Sequence, residues 1–206
     1  MKFLQKLFQK KPKEVIVVSG LPRSGTSMMM KMLEAGGLGV LTDNIRKANE
    51  DNPKGYYEFE RVKKLPEGDT AWLDQAEGKV VKIISQLLMS LPEGYTYRVL
   101  FMRRHINEIL ASQRRMLERR GEDPNKVDDE EMAALFEKHL EKVFAWMDRQ
   151  PNVHYLEVDY NRTLADPQPT AEQVNEFLGS ELDVEKMVGV VDPSLYRQRA
   201  DSDSAD

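Results

Sequence analysis

The stretch "VIVVSGLPRSGTSMMMKML", Val15 to Leu33, decides the fold. Val15-Ile16-Val17-Val18 is a short β-branched run of the kind that suits a strand buried on both faces. Gly20-Leu21-Pro22-Arg23-Ser24-Gly25 then breaks that strand with two glycines and a proline. From Thr26 the chain becomes rich in methionine, and Gly36-Gly37 supplies a stop, which predicts a helix over Thr26–Ala35. Strand, glycine-bounded loop and helix is the order that aims backbone N–H groups and a positive helix end at an anion. Gly20 and Gly25 have the spacing of the two glycines in G-x-x-x-x-G-K-[ST], where the lysine reaches the β/γ-phosphates and the next hydroxyl holds Mg²⁺. Here Thr26 replaces the lysine, and the nearest cation is Arg23, inside the loop. The loop asks for phosphate, while the usual ATP-splitting set is incomplete.

Outward from this stretch, short apolar runs predict further strands at Leu38–Leu41, Lys79–Ile84, Tyr97–Met102 and Val153–Val158. Helical patterns lie at Ile106–Arg119, Asp129–Arg149 and Ala171–Leu178. Strands alternating with helices predict an α/β fold, a single three-layer domain with a central parallel sheet flanked by helices. A chain of 206 residues suits one such domain. In such sheets ligands bind beyond the carboxyl ends of the strands. The loop after the first strand, the end of Lys79–Ile84 and the Arg103-Arg104 turn should therefore converge on one site.

Composition narrows the function. The chain is 40% hydrophobic and 32% charged with a net charge of −5, so no global basic field points to nucleic acid. It contains no cysteine, which removes disulfides, thiolate metal sites and cysteine nucleophiles together. The N-terminus, MKFLQKLFQKKPK, sets Phe3, Leu4, Leu7 and Phe8 on one helical face among five lysines and lacks a signal-peptide pattern. Residues 1–13 are expected to form a basic amphipathic arm, packed on the domain or mobile, with weak membrane-surface contact as the other reading. Residues 14–200 form the domain and residues 201–206, DSDSAD, a solvated acidic tail. A cytoplasmic location is expected, peripheral to the membrane if the arm engages it.

Three features carry no function. Asp128-Asp129-Glu130-Glu131 reads as the acidic opening of a helix rather than a metal cluster. Met28, Met29, Met30 and Met32 read as core filler. His105, His139 and His154 show neither a nucleophile nor a ligand pattern.

The second motif is "FMRRHINEILASQRRML", in which Arg104 and Ser112 stand eight residues apart, the arginine at a strand end and the serine on the following helix. Arginine offers bidentate donors to a phosphate, and a serine two turns along adds a hydroxyl. Gly20-Leu21-Pro22-Arg23-Ser24-Gly25-Thr26-Ser27 closely resembles the 5′-phosphosulfate loop of sulfotransferases that use 3′-phosphoadenylyl sulfate (PAPS). Arg104…Ser112 resembles that family's 3′-phosphate pair in spacing and order. A weaker similarity spans residues 14–200 and takes in "NPKGYYE" (Asn52–Glu58), Lys82, "DYNRTLADP" (Asp159–Pro167) and "DPSLYRQR" (Asp192–Arg199).

The resemblance implies a P-loop, sulfotransferase-like domain of the bacterial type that moves a sulfuryl group from PAPS to an acceptor hydroxyl or amine, leaves 3′,5′-ADP (PAP) and needs no metal. It places Leu21, Pro22, Arg23, Ser24, Gly25, Thr26 and Ser27 on the 5′-phosphosulfate and Arg104 and Ser112 on the 3′-phosphate. Arg197 closes on the nucleotide or belongs to a solvated basic stripe, and Tyr196 is the candidate for adenine stacking. Arg23 and Lys82 are the expected catalytic cations. Glu58 is preferred to Glu60 and Asp51 as the base, although its alternation with Tyr57 and Phe59 also suits a half-buried strand edge. The chain departs from the family in having His105 where a proline is common, and in lacking a C-terminal glycine-and-lysine clamp. The expected acceptor is a small molecule or carbohydrate, and the oligomeric state is open. Two rivals remain: a P-loop kinase for a small molecule or nucleoside, and a nucleotide-binding module without catalysis.

Overall fold

A computed structural model describes residues 13–43, 45, 57–124, 126–179 and 181–195. The N-terminal arm up to residue 12, the acidic tail, Tyr196, Arg197, Arg199, Asp51 and the 52–56 part of NPKGYYE lie outside the described residues.

Strand β1 (Glu14–Gly20) is buried from Val15 onward, as its β-branched run requires. It lies at the centre of an all-parallel sheet completed by β2 (Gly39–Val40), β3 (Lys79–Lys82), β4 (Thr96–Arg103) and β5 (Val153–Asp159), in the order β2-β3-β1-β4-β5. Alternation along β1 divides the core. Val15 and Val17 face one side with Trp72, Phe101, Val143 and Met147. Ile16 and Val18 face the other with Met29, Met30, Met32, Leu33, Val174 and Met187. Helices cover both faces, so the single three-layer α/β domain stands as expected. Among the described residues no helix is long and apolar enough to cross a membrane.

Helix α1 (Thr26–Ala35) follows the glycine loop, and its methionines Met29, Met30 and Met32 are wholly buried filler. Helix α3 (Ile106–Arg119) follows β4, and α4 (Asp129–Met147) begins at an Asp128 carboxylate that accepts from the amides of Glu130 and Glu131. The acidic run thus caps a helix start. Helix α6 (Pro167–Leu178) begins four residues before its apolar pattern, because Pro167 is pre-set for a first turn. Short elements escape periodicity: α2 (Ser85–Leu88), α5 (Tyr160–Ala165), α7 (Val184–Gly189) and two 3-10 segments, Glu60–Glu67 and Ala71–Gln75.

Tyr57, Glu58 and Phe59 belong to no strand, contrary to the strand-edge reading. Tyr57 takes a positive φ of 52° and donates its hydroxyl to Glu34 Oε2 at 2.6 Å, which takes the segment out of β geometry.

Candidate active site

The carboxyl ends of β1, β3, β4 and β5 share one edge of the parallel sheet, and the polar groups of interest gather there. At the end of β1 the loop turns on Gly20 and Gly25. A Cβ on Gly20 would lie 2.5 Å from Ser24 Oγ and 2.8 Å from the Met102 carbonyl oxygen. Gly25 caps α1 at φ 99°, and a Cβ there would lie 2.2 Å from Tyr160 Cδ2. Only glycine fits both places. The first turn of α1, with Thr26 and Ser27 half-buried, presents its amides and the positive end of the helix.

Within the loop Leu21 is buried and Pro22 half-buried. Arg23 holds a left-handed φ of 71°, a conformation that costs a non-glycine residue on the order of 1–3 kcal/mol and clusters at ligand sites. Its Nε donates to Ser112 Oγ on α3 at 2.9 Å, and its carbonyl accepts from Arg104 Nη1 at 3.1 Å. Ser24 is 1% exposed, its amide donates to the Leu21 carbonyl, and its hydroxyl has no hydrogen-bond partner among the described residues. A buried hydroxyl left unsatisfied is costly, so this is a group that an anionic oxygen would relieve.

The two adjacent arginines after β4 separate. Arg103 stays at the surface, paired with Glu157 at 2.9 Å and lying over the Phe144 ring. Arg104 turns inward, its side chain only 7% exposed, and its Nε donates to Glu108 Oε2 at 2.8 Å. Its guanidinium carbon sits 4.7 Å from the centroid of the Tyr160 ring. Glu108 also accepts from Asn161 Nδ2, at 2.9 Å to Oε1. Burial pushes the Tyr160 phenol above its ordinary value, opposed by the charges of Arg104 and Arg23, so it stands as a neutral ring.

At the end of β3, Lys82 Nζ lies 3.9 Å from Glu58 Oε1, with side chains 8% and 22% exposed. Glu58 is held there by its backbone: its carbonyl accepts from Thr42 Oγ1 at 2.8 Å and from the Asp43 amide at 3.3 Å. The Asp43 carboxylate in turn accepts from the Glu60 amide at 2.6 Å.

Arg23, Arg104 and Ser112 are therefore brought together, as are Lys82 and Glu58, while Arg197 lies outside the described residues. Sequence reading assigned no role to Glu108, Tyr160 or Asn161, although the last two stand in the DYNRTLADP stretch that carries part of the resemblance. One signal was available for Glu108, its spacing of four residues from both Arg104 and Ser112.

The sulfotransferase domain of the Synechococcus PCC 7002 olefin synthase has the same fold, at TM-score 0.54 and 16% identity, covering 97% of this chain and 92% of that one. Sulfotransferase STF1 from Mycobacterium tuberculosis H37Rv aligns at TM-score 0.55 and 17% identity, over 91% and 74% of the two chains. A sulfotransferase domain from the curacin biosynthetic pathway aligns at TM-score 0.51 and 15% identity, over 93% of each. Comparison with curated protein sequences gives no match. A model described as the sulfotransferase family matches residues 59–184, more than half of the chain, beginning after the glycine loop and including Lys82, Arg104, Glu108, Ser112 and Asn161. The chain belongs to the sulfotransferase family.

Proposed function

We propose that this sulfotransferase takes its sulfuryl group from PAPS and passes it to a hydroxyl or amine of a small-molecule or carbohydrate acceptor. The observation that carries this reading is the joining of two phosphate-type motifs from distant parts of the chain. Arg23 in the glycine loop donates to Ser112, and Arg104 donates to the Arg23 carbonyl. A nucleotide with phosphates at both 5′ and 3′ positions calls for two anion sites side by side, and the unsatisfied Ser24 hydroxyl sits between the loop glycines.

When bound, PAPS supplies an activated sulfuryl group whose bond to the 5′-phosphate oxygen breaks as a new bond to the acceptor forms. Leu21 to Ser27 hold the 5′ side through backbone amides, the end of α1 and the hydroxyls of Ser24, Thr26 and Ser27. Arg104 and Ser112 hold the 3′-phosphate, while Arg197, outside the described residues, is assigned to the nucleotide only by the family resemblance. Arg23 stabilises charge that develops on the leaving oxygen, the place where a preorganised donor acts most strongly. Lys82 steadies the sulfuryl oxygens, and Glu58 takes the acceptor's proton. None of these roles asks for the lysine and Mg²⁺ of an ATP-splitting loop.

A melting experiment tests the donor. At 100 times its Kd, PAP should stabilise the protein by about 2.7 kcal/mol without metal. A shift given by ATP with Mg²⁺ and not by PAP would favour the kinase reading instead.

A further inference from the structure

We propose that Glu108 is a positioning residue: with Asn161 behind it and the Tyr160 ring alongside, it fixes the plane in which Arg104 meets the 3′-phosphate. The proposal rests on the reading of Arg104 as a 3′-phosphate ligand. Its own evidence is separate, and lies on the side of Arg104 that grips Glu108.

An arginine has many rotamers, and a free one would lose that freedom when it bound an anion. Arg104 has already lost it. Its Nε is engaged by Glu108 at 2.8 Å, one Nη by the Arg23 carbonyl at 3.1 Å, and Tyr160 supports the guanidinium from 4.7 Å. Glu108 is itself 1% exposed, so its charge is offset by Arg104, and its oxygens accept from Asn161 at 2.9 and 3.1 Å. A buried carboxylate of this kind survives only when paired and hydrogen-bonded.

The parts come from two places. Arg104, in the turn between β4 and α3, stands four residues before Glu108 in the first turn of α3, and Tyr160 and Asn161 open α5 at the end of β5. Tyr160 also packs so closely on Gly25 that no side chain fits there, so the same segment supports the glycine loop. The sequence "DYNRTLADP" thus contributes structure behind two anion sites. Nothing in this arrangement requires Glu108 to touch the nucleotide. Its effect passes through Arg104.

The test compares Kd values for PAP and for 5′-AMP, which lacks the 3′-phosphate, using the full chain and its variants. Arg104→Ala is the control and should weaken PAP about ten- to hundredfold while leaving 5′-AMP within about threefold. Glu108→Ala should give a PAP-selective loss of about tenfold or more, because the guanidinium loses its fixed plane. Glu108→Gln should recover most of it, since an amide oxygen still accepts from Nε and the Asn161 amide can turn to match. Asn161→Ala, a milder change, should weaken PAP by about three- to tenfold and spare 5′-AMP. It carries the test where Glu108→Ala does not fold.

A loss in Arg104→Ala with unchanged PAP affinity in Glu108→Ala or Asn161→Ala overturns the positioning role and leaves the nucleotide reading standing. Equal losses for both nucleotides in the Glu108 and Asn161 variants also overturn it, since they mark a purely structural role. Failure of Arg104→Ala to separate PAP from 5′-AMP overturns the assignment of Arg104 itself, and this inference with it.

Discussion

Arg23 donates from Nε to the hydroxyl of Ser112 at 2.9 Å, across 89 residues of sequence. The hydroxyl accepts from the loop and keeps its own proton to donate. One serine can thus serve the 3′-phosphate and the loop arginine together. Ser112→Ala should weaken PAP by roughly three- to tenfold, the worth of one ordinary hydrogen bond. It should also lower kcat, because Arg23 loses a partner that holds it. Calorimetry and steady-state kinetics on the variant check both, and a change in affinity with kcat intact would mean that Arg23 is held by other contacts.

Gly25 and Gly37 have the same φ of 99° and opposite surroundings, Tyr160 crowding the first and nothing within 4 Å of the second. Gly37→Ala should cost about 1–2 kcal/mol, the strain of a left-handed alanine. Gly25→Ala adds overpacking of roughly 1–3 kcal/mol and should also abolish PAP binding. Urea unfolding of the two variants measures the difference, and equal losses would show that Tyr160 moves aside freely.

Glu58 and Lys82 face each other at 3.9 Å. Glu58→Gln should keep PAP affinity and lower transfer by about 10²–10⁴-fold, the usual loss of a general base. Acceptors that ionise by themselves should be less affected as pH rises. An unchanged rate with a neutral alcohol acceptor would remove Glu58 from the chemistry.

A separate prediction concerns pH and stability. His139 Nε2 lies 2.9 Å from the buried Ser85 Oγ, and burial, then the charge of Lys142, lowers its imidazole below the ordinary value of 6.5. The unfolded chain therefore takes up this proton at a higher pH than the folded one. The contribution is complete above the unfolded value and is lost as pH falls below it. Unfolding free energy should fall as pH drops below the ordinary imidazole value, and His139→Gln should flatten that slope. Asp69 and Asp183, held low by Arg61 and Lys186, lose their contributions only in stronger acid. A slope unchanged in the variant would assign it to other groups.

The parts of the molecule legible in the sequence are those with local causes. The buried run Val15–Val18, the glycine loop and the helix at Thr26–Ala35 each follow from residues close in the chain, and alternation of strands and helices gives the parallel sheet. The site's support was not legible. Glu108, four residues after Arg104, reads as a solvated ion pair, yet in the fold it is 1% exposed and accepts from Asn161, which arrives at the start of α5. Tyr57–Phe59 alternates like a strand, yet Glu58 is held by Thr42 and Asp43, and the chain enters a 3-10 segment at Glu60 instead. Neither outcome is decided by neighbours in sequence.

Whether the Arg23 loop cleaves PAPS is read from single-turnover release of PAP, with water or an acceptor as the second substrate. The wild-type protein should release PAP without added metal. Arg23→Ala should fold, bind PAP measurably, and cleave more slowly by about 10²–10³-fold, the loss typical of a missing oxyanion donor. Tight PAP binding by the wild-type protein with no PAPS cleavage across a broad acceptor panel would leave a nucleotide-binding module, and equal cleavage by Arg23→Ala would remove Arg23 from the chemistry.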